Sequence, residues 1–152
     1  MSKAHVEQLV PHRGTMSWLD RIVSVDADGA VAEADIRPGG FFVRDGGLPA
    51  WAGIEYMAQT VAAWAGHRAR SEGRQVDIGF LVGSRRYEST RPVFPVGACL
   101  HIQVARELIA DNGLGMFACR ILIDGSVVAS ANLSVFEPPE GAAFLLSQGE
   151  NT

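Results

Sequence analysis

Long apolar runs are missing from this sequence. No stretch reaches the ~20 residues that span a bilayer, and the opening "MSKAHVEQLVPHRG" lacks the apolar core of a secretory leader. No cluster of Lys and Arg stands out, and the net charge is −4, so nucleic acid and membrane surfaces are not expected partners. Cysteine is scarce: Cys99 and Cys119 fit no metal spacing and no redox motif. They are expected to be reduced thiols in a bacterial-type cytoplasm, packed as small apolar residues in strands. No two histidines have metal-ligand spacing, so no metal is expected.

What is present is enough for one domain. The chain has 152 residues, 47% of them hydrophobic, which supplies a core and excludes a disordered chain. The segment "WAGIEYMAQTVAAWAG", residues 51–66, lacks the polar stripe that a surface helix carries at a period of 3.6. It predicts a buried helix from Pro49 or Ala50 to about Arg70, with Pro49 suited to a first helical position and Gly73 near the exit. The single charge of residues 51–66 is Glu55, and a carboxylate in the first turns of a buried helix is costly unless paired or useful.

Around the helix the period changes to two. "GAVAEADIR" alternates Ala32, Ala34 and Ile36 against Val31, Glu33 and Asp35, and "CLHIQVARE" alternates Leu100, Ile102 and Val104 against His101, Gln103 and Ala105. "DIGFLVG", "SRRYESTR", "LGMFACRILI" and "VVASANLSVF" read as further strands, with "DNG" (111–113) and "DGS" (124–126) as hairpin turns. "HVEQLVPHRG" reads as a short helical turn, "PGGFFVRDGGLP" as a Gly/Pro-rich loop, and the residues from about 137 as a tail. The fold expected for residues 1–152 is therefore α+β: a single domain in which a long central helix is wrapped by an antiparallel sheet of about six strands. Ala50, Ala52, Gly53, Ala58, Ala62, Ala63, Ala65 and Gly66 let a curved sheet approach the helix closely, which is the packing of a hotdog fold.

Three segments, in order, resemble the β-hydroxyacyl-acyl-carrier-protein dehydratases: "LVPHRGTMSWLDRIV", "LPAWAGIEYMAQ" and "GFLVGSRRYESTRPVFPVGACL". More closely, the chain resembles the divergent hotdog dehydratase-like proteins encoded with aryl polyene pigment biosynthesis. The resemblance implies elimination of water from a 3-hydroxyacyl thioester, with no cofactor. The substrate would be an acyl chain on the phosphopantetheine of an acyl carrier protein. It also implies a dimer, either a homodimer or a heterodimer with a second hotdog chain, in which a His of one subunit and a helix Glu of the other share the acid–base work. Two departures matter. The family's His lies eight residues before the helix-start Pro, and here that position is Phe41, in a loop with no His. The family's Pro-Gly-Asp becomes "PVGA", with Val96 inserted and no Asp.

On this resemblance Glu55 is the candidate catalytic residue, mostly buried beside an acyl tunnel, and backbone groups around Leu48–Trp51 would polarise the thioester carbonyl. The alternative for Glu55 is a buried ion pair with Arg85 or Arg91. Gln59, one turn on, either orients the carboxyl or bonds helix to sheet. His12 either ties down the N-terminal segment or acts as a replacement acid. Trp51 and Trp64 are core residues on the simplest reading. Otherwise Trp51 and Trp64, with Phe41, Phe42, Leu48 and Met57, line the acyl site. Arg85, Arg86 and Arg91 form a solvated strand edge or dock the acidic carrier protein and its phosphate. His5, His67 and His101 are given no role. Two other functions are compatible with the sequence: a hotdog acyl thioesterase, in which a helix carboxylate activates water, and a non-catalytic acyl-binding or structural subunit.

Overall fold

The structure is a computed structural model that describes residues 18–40, 42–73 and 80–136. Its strands are β1 (Arg21–Val25), β2 (Gly29–Asp35), β3 (Gly47–Pro49), β4 (Phe80–Ser89), β5 (Val93–Pro95), β6 (Cys99–Ile109), β7 (Leu114–Ile123) and β8 (Ser126–Phe136). Between β3 and β4 lie a 3-10 turn, Ala50–Ala52, and the helix α1, Gly53–Ser71. Six strands form one antiparallel sheet in the order β1-β2-β6-β7-β8-β4, and β3 pairs with β5 in a small second sheet.

The alternation seen in the sequence becomes the inner face of the large sheet. Ala32, Ile102, Ile121 and Ala129 form one cross-strand row, and Ala30, Val104, Cys119 and Ala131 form the next. All eight side chains are buried. The outer rows hold alanine and the middle strands hold the bulk, so the sheet curls over α1, which packs on β2, β6, β7 and β8. The expected "DGS" turn is a two-residue hairpin turn in which Asp124 and Gly125 have φ of 51° and 80°. Positive φ at both positions matches the right-handed twist of the flanking strands.

The structure departs from the sequence reading in three places. Pro49 ends β3 in an extended conformation (ψ 136°) and precedes the helix rather than opening it. The segment before it is not wholly loop, because Gly47–Pro49 pairs with Val93–Pro95, and a three-residue strand is too short to show a period. "GFLVG" and "SRRYESTR" do not form two strands. Phe80–Ser89 is one strand, interrupted by register shifts at Leu81/Gly83 and Arg85/Glu88, and those shifts are what broke its alternation. The helical turn expected in "HVEQLVPHRG", the start of "DIGFLVG" and the tail from residue 137 lie outside the described residues. Among the described residues no helix is long and apolar enough to cross a membrane.

Candidate functional site

The N-terminal end of α1 meets the loop before it, the residues entering β1, and the β4–β5 connection. The helix begins here because Pro49 cannot continue a ladder inward and the Ala-rich run after it favours helix. No side chain caps this end of either the 3-10 turn or α1. Of the backbone groups expected to face a substrate, the Ala50 N–H is already engaged, donating to Pro92 O at 2.9 Å, and Pro49 has none to offer. The Trp51 N–H has no hydrogen-bond partner among the described residues.

Glu55 lies in the first turn of α1 and is partly buried. Its Oε1 accepts a hydrogen bond of 3.0 Å from Nε2 of Gln59. Gln59 is fully buried, and its own Oε1 accepts the Trp18 N–H at 2.9 Å. The two roles weighed for Gln59 are thus both filled: one end of the carboxamide orients the carboxyl, and the other ties the helix to the chain entering β1. Because each end of the amide has a partner of the opposite kind, the side chain has one rotational setting and passes it to Glu55.

Aromatic rings surround this pair. Trp18 packs on Tyr56 with ring centroids 5.0 Å apart and meets Phe42 edge-on at 5.9 Å; Phe42 in turn meets Trp51 at 5.1 Å. Phe42 has φ of 64°, an uncommon conformation for a bulky side chain, and both indoles hold its ring. Trp51 is not a core residue: it is 60% exposed, whereas Trp64 is buried against Phe117. The difference follows from position, since Trp51 precedes the point where the sheet covers the helix. Leu48 and Met57 are fully buried in the core behind this surface. Phe41 and His12 lie outside the described residues.

The three arginines do not share one strand. Arg85 and Arg86 are on β4, Arg86 exposed with φ of 55°, while Arg91 is exposed in the bend after β4. "PVGA" forms the turn between β5 and β6. There Val96 N–H donates to Gly46 O, and Gly97 N–H donates to Ile36 O, both at 2.9 Å, so the turn braces the loop before the helix. Cys119 is buried, which pushes its thiol up to about 12. Cys99 is half-buried and raised too, by burial first and then by Glu33. Neither is a ready nucleophile. Among the described residues no three His, Cys, Asp or Glu side chains group to hold a metal.

The sequence reading missed Trp18 and Tyr87. Trp18 acts through its backbone, which leaves no mark on residue type. The Tyr87 hydroxyl donates to the Ala50 carbonyl at the helix start, and only Gly53, whose missing side chain makes room for it, could have hinted at so close an approach.

Known proteins resemble this chain in sequence and in fold. The 3-hydroxyacyl-[acyl-carrier-protein] dehydratase FabZ of Agrobacterium fabrum is 29% identical over 142 residues, covering 90% of this chain and 89% of that protein. FabZ of Methylobacterium radiotolerans is 27% identical, covering 84% and 83%. Among solved structures, the dehydratase heterocomplex ApeI:P from Xenorhabdus doucetiae contains a chain that superposes with a TM-score of 0.81 at 25% identity, covering 93% of this chain and 96% of that one. A hypothetical thioesterase protein from Streptococcus pneumoniae, solved with coenzyme A, shares the fold alone, with a TM-score of 0.62 at 13% identity over 77% of this chain and 84% of that one. Residues 4–146 match the ApeP-like family, described as ApeP dehydratase, and with a match of that extent the chain belongs to the ApeP-like dehydratases.

Proposed function

We propose that the chain is one subunit of a 3-hydroxyacyl-acyl-carrier-protein dehydratase, in which Glu55 supplies half of an acid–base pair and a histidine of a second hotdog chain supplies the other half. Elimination breaks C2–H and C3–O, forms the C2=C3 double bond and releases water. It needs one group to take the C2 proton and one to protonate the departing hydroxyl. The observation that carries the reading is the Trp18–Gln59–Glu55 relay, which fixes a half-buried carboxyl at the start of the central helix. The Trp51 N–H is the amide best placed to meet the thioester carbonyl as enolate charge develops. Trp51 and Phe42 form the exposed apolar wall beside it, with Leu48 and Met57 behind them.

The loop before the helix carries no His, so a homodimer would bring two copies of Glu55 and no histidine at that position. A similar chain forms part of a dehydratase heterocomplex, and the same arrangement here would complete one site. Among the described residues the sheet ends at β1 and β4, and β4 is the edge joined to the helix start through Tyr87, which makes it the edge for the second chain. Arg86, exposed on β4, and Arg91, exposed just after it, would receive the acidic carrier protein and its phosphate, with Arg85 next to Arg86 in the sequence. The setting is the cytoplasm, where carrier-bound acyl chains are processed.

The test is turnover of a 3-hydroxyacyl-carrier thioester. The chain alone is expected to fall ~10²–10⁴-fold short of the assembly with a His-bearing hotdog chain. Glu55→Gln should abolish the activity that the second chain restores. Full activity of this chain alone would overturn the two-chain site and direct attention to His12.

A further inference from the structure

We infer that Tyr87 is a positioning residue for this site: a bulge in β4 turns its hydroxyl inward, where it fixes the first turn of the central helix through the Ala50 carbonyl. The inference rests on the reading that chemistry takes place at Glu55.

The bulge is visible in the register. Arg85 faces Asn132 and Glu88 faces Ser130, so Arg86 and Tyr87 together oppose one residue, Ala131. Ala129, Ala131 and Leu133 are the buried positions of β8. Regular alternation from Arg85 would send Arg86 toward the core opposite Ala131. Instead Arg86 takes φ of 55° and stays exposed, while Tyr87 is half-buried against the core. A non-glycine residue held at positive φ is strained, and bulges beside active sites commonly re-aim one side chain.

The re-aimed side chain is Tyr87. Its hydroxyl donates to Ala50 O, which also accepts the Gly53 N–H that closes the 3-10 turn. The Ala50 N–H meanwhile donates to Pro92 O. The Ala50 residue is therefore gripped at both its N–H and its C=O, from β4 and the bend after it, at a helix end that no side chain caps. Space for the grip comes from Gly53, where an added Cβ would sit 2.3 Å from Tyr87 Oη and 3.0 Å from Ile121 Cδ1. Trp51 and Glu55 flank this turn, so its setting fixes both the amide and the carboxyl. Burial pushes the Tyr87 phenol up to about 12, so it remains a donor at neutral pH.

Tyr87→Phe keeps the ring and removes the donor. In the dehydratase assembly, kcat should fall about 10–100-fold, the cost of a small misplacement of reacting groups. KM for the carrier-bound substrate should stay within about twofold. Independently of activity, amide exchange at Gly53 and Ile54 should quicken while the last turns of α1 are unchanged. Gly53→Ala should show the same kcat loss, and adding Tyr87→Phe to it should cost little more, because both remove one grip. Wild-type kcat in Tyr87→Phe, a change confined to KM, or unchanged exchange at Gly53 and Ile54 would overturn the inference while Glu55→Gln inactivation leaves the functional reading standing. Activity that survives Glu55→Gln would overturn the functional reading, and this inference with it.

Discussion

Gln59 has no freedom left. Its Oε1 holds the Trp18 N–H and its Nε2 holds Glu55 Oε1, so both ends of a fully buried carboxamide are used. Gln59→Leu fills the same space and can serve neither partner. It should destabilise the protein by about 1–3 kcal/mol, the cost of leaving such groups without a hydrogen bond, as measured by urea unfolding. It should also lower kcat in the assembly, because Glu55 loses the contact that orients it. Gln59→Glu tests the same point differently: it keeps the acceptor for Trp18 but sets two carboxyls side by side. Like charges at that distance raise the pKa of one of them, so the acid limb of the pH–rate profile should move upward. A profile superimposable on wild type would sink the orienting role.

The outer face of β1, β2 and β6 carries an ion network that the buried face does not need. Arg21 pairs with both oxygens of Asp35 at 3.0 and 3.1 Å and with Glu33 at 3.0 Å. Arg37 joins Asp35 to Asp20, and His101 Nδ1 stands 3.4 Å from Glu33. Hydrogen bonds from Arg21 hold the Glu33 and Asp35 carboxyls below their ordinary values of 4.5 and 3.8. Groups depressed in the folded state add stability above their unfolded values and lose it as pH falls through the folded ones. Wild-type stability should therefore drop below about pH 4.5, and Arg21→Gln should drop less steeply there. At pH 7 the substitution should cost only about 1 kcal/mol, because the partners are more than a quarter exposed and solvent screens them. Chemical denaturation at several pH values measures both. The helix tolerates less. Ala63 is fully buried beneath the sheet, and Ala63→Leu should destabilise by about 1–3 kcal/mol through overpacking.

Among the described residues the large sheet ends at two edges, β1 and β4, each interrupted by a register shift. It also shows a half-exposed apolar stripe along α1, running through Ile54, Ala58, Ala62 and Ala65, with exposed Trp51 at its head. An edge and an apolar stripe left to water are both liabilities, and one second chain lying along them would remove both. Light scattering at micromolar concentration should therefore give a dimer, and mixing with a His-bearing hotdog chain should give a one-to-one complex. A persistent monomer in both experiments would count against the two-chain site.

Much of this protein could be read from residue order alone. The helix, the alternating strands and the turns at residues 111–113 and 124–126 are local matters of period and turn chemistry, and those need only neighbours in sequence. Glu55 stood out because it is the one charge in the apolar segment 51–66, and the ordered motifs around it pointed to the family. Tertiary structure decided the rest. The short β3–β5 pair joins segments more than forty residues apart, and neither shows a pattern of its own. Trp51 and Trp64 look alike in the sequence, yet one is exposed and the other buried, because only the sheet's position along the helix distinguishes them. The β4 bulge undid the alternation that would have placed Arg86 inward and Tyr87 outward. The relay to Glu55 depends on a backbone amide 41 residues from Gln59, and a peptide N–H is the same in every sequence until the fold brings it to its partner.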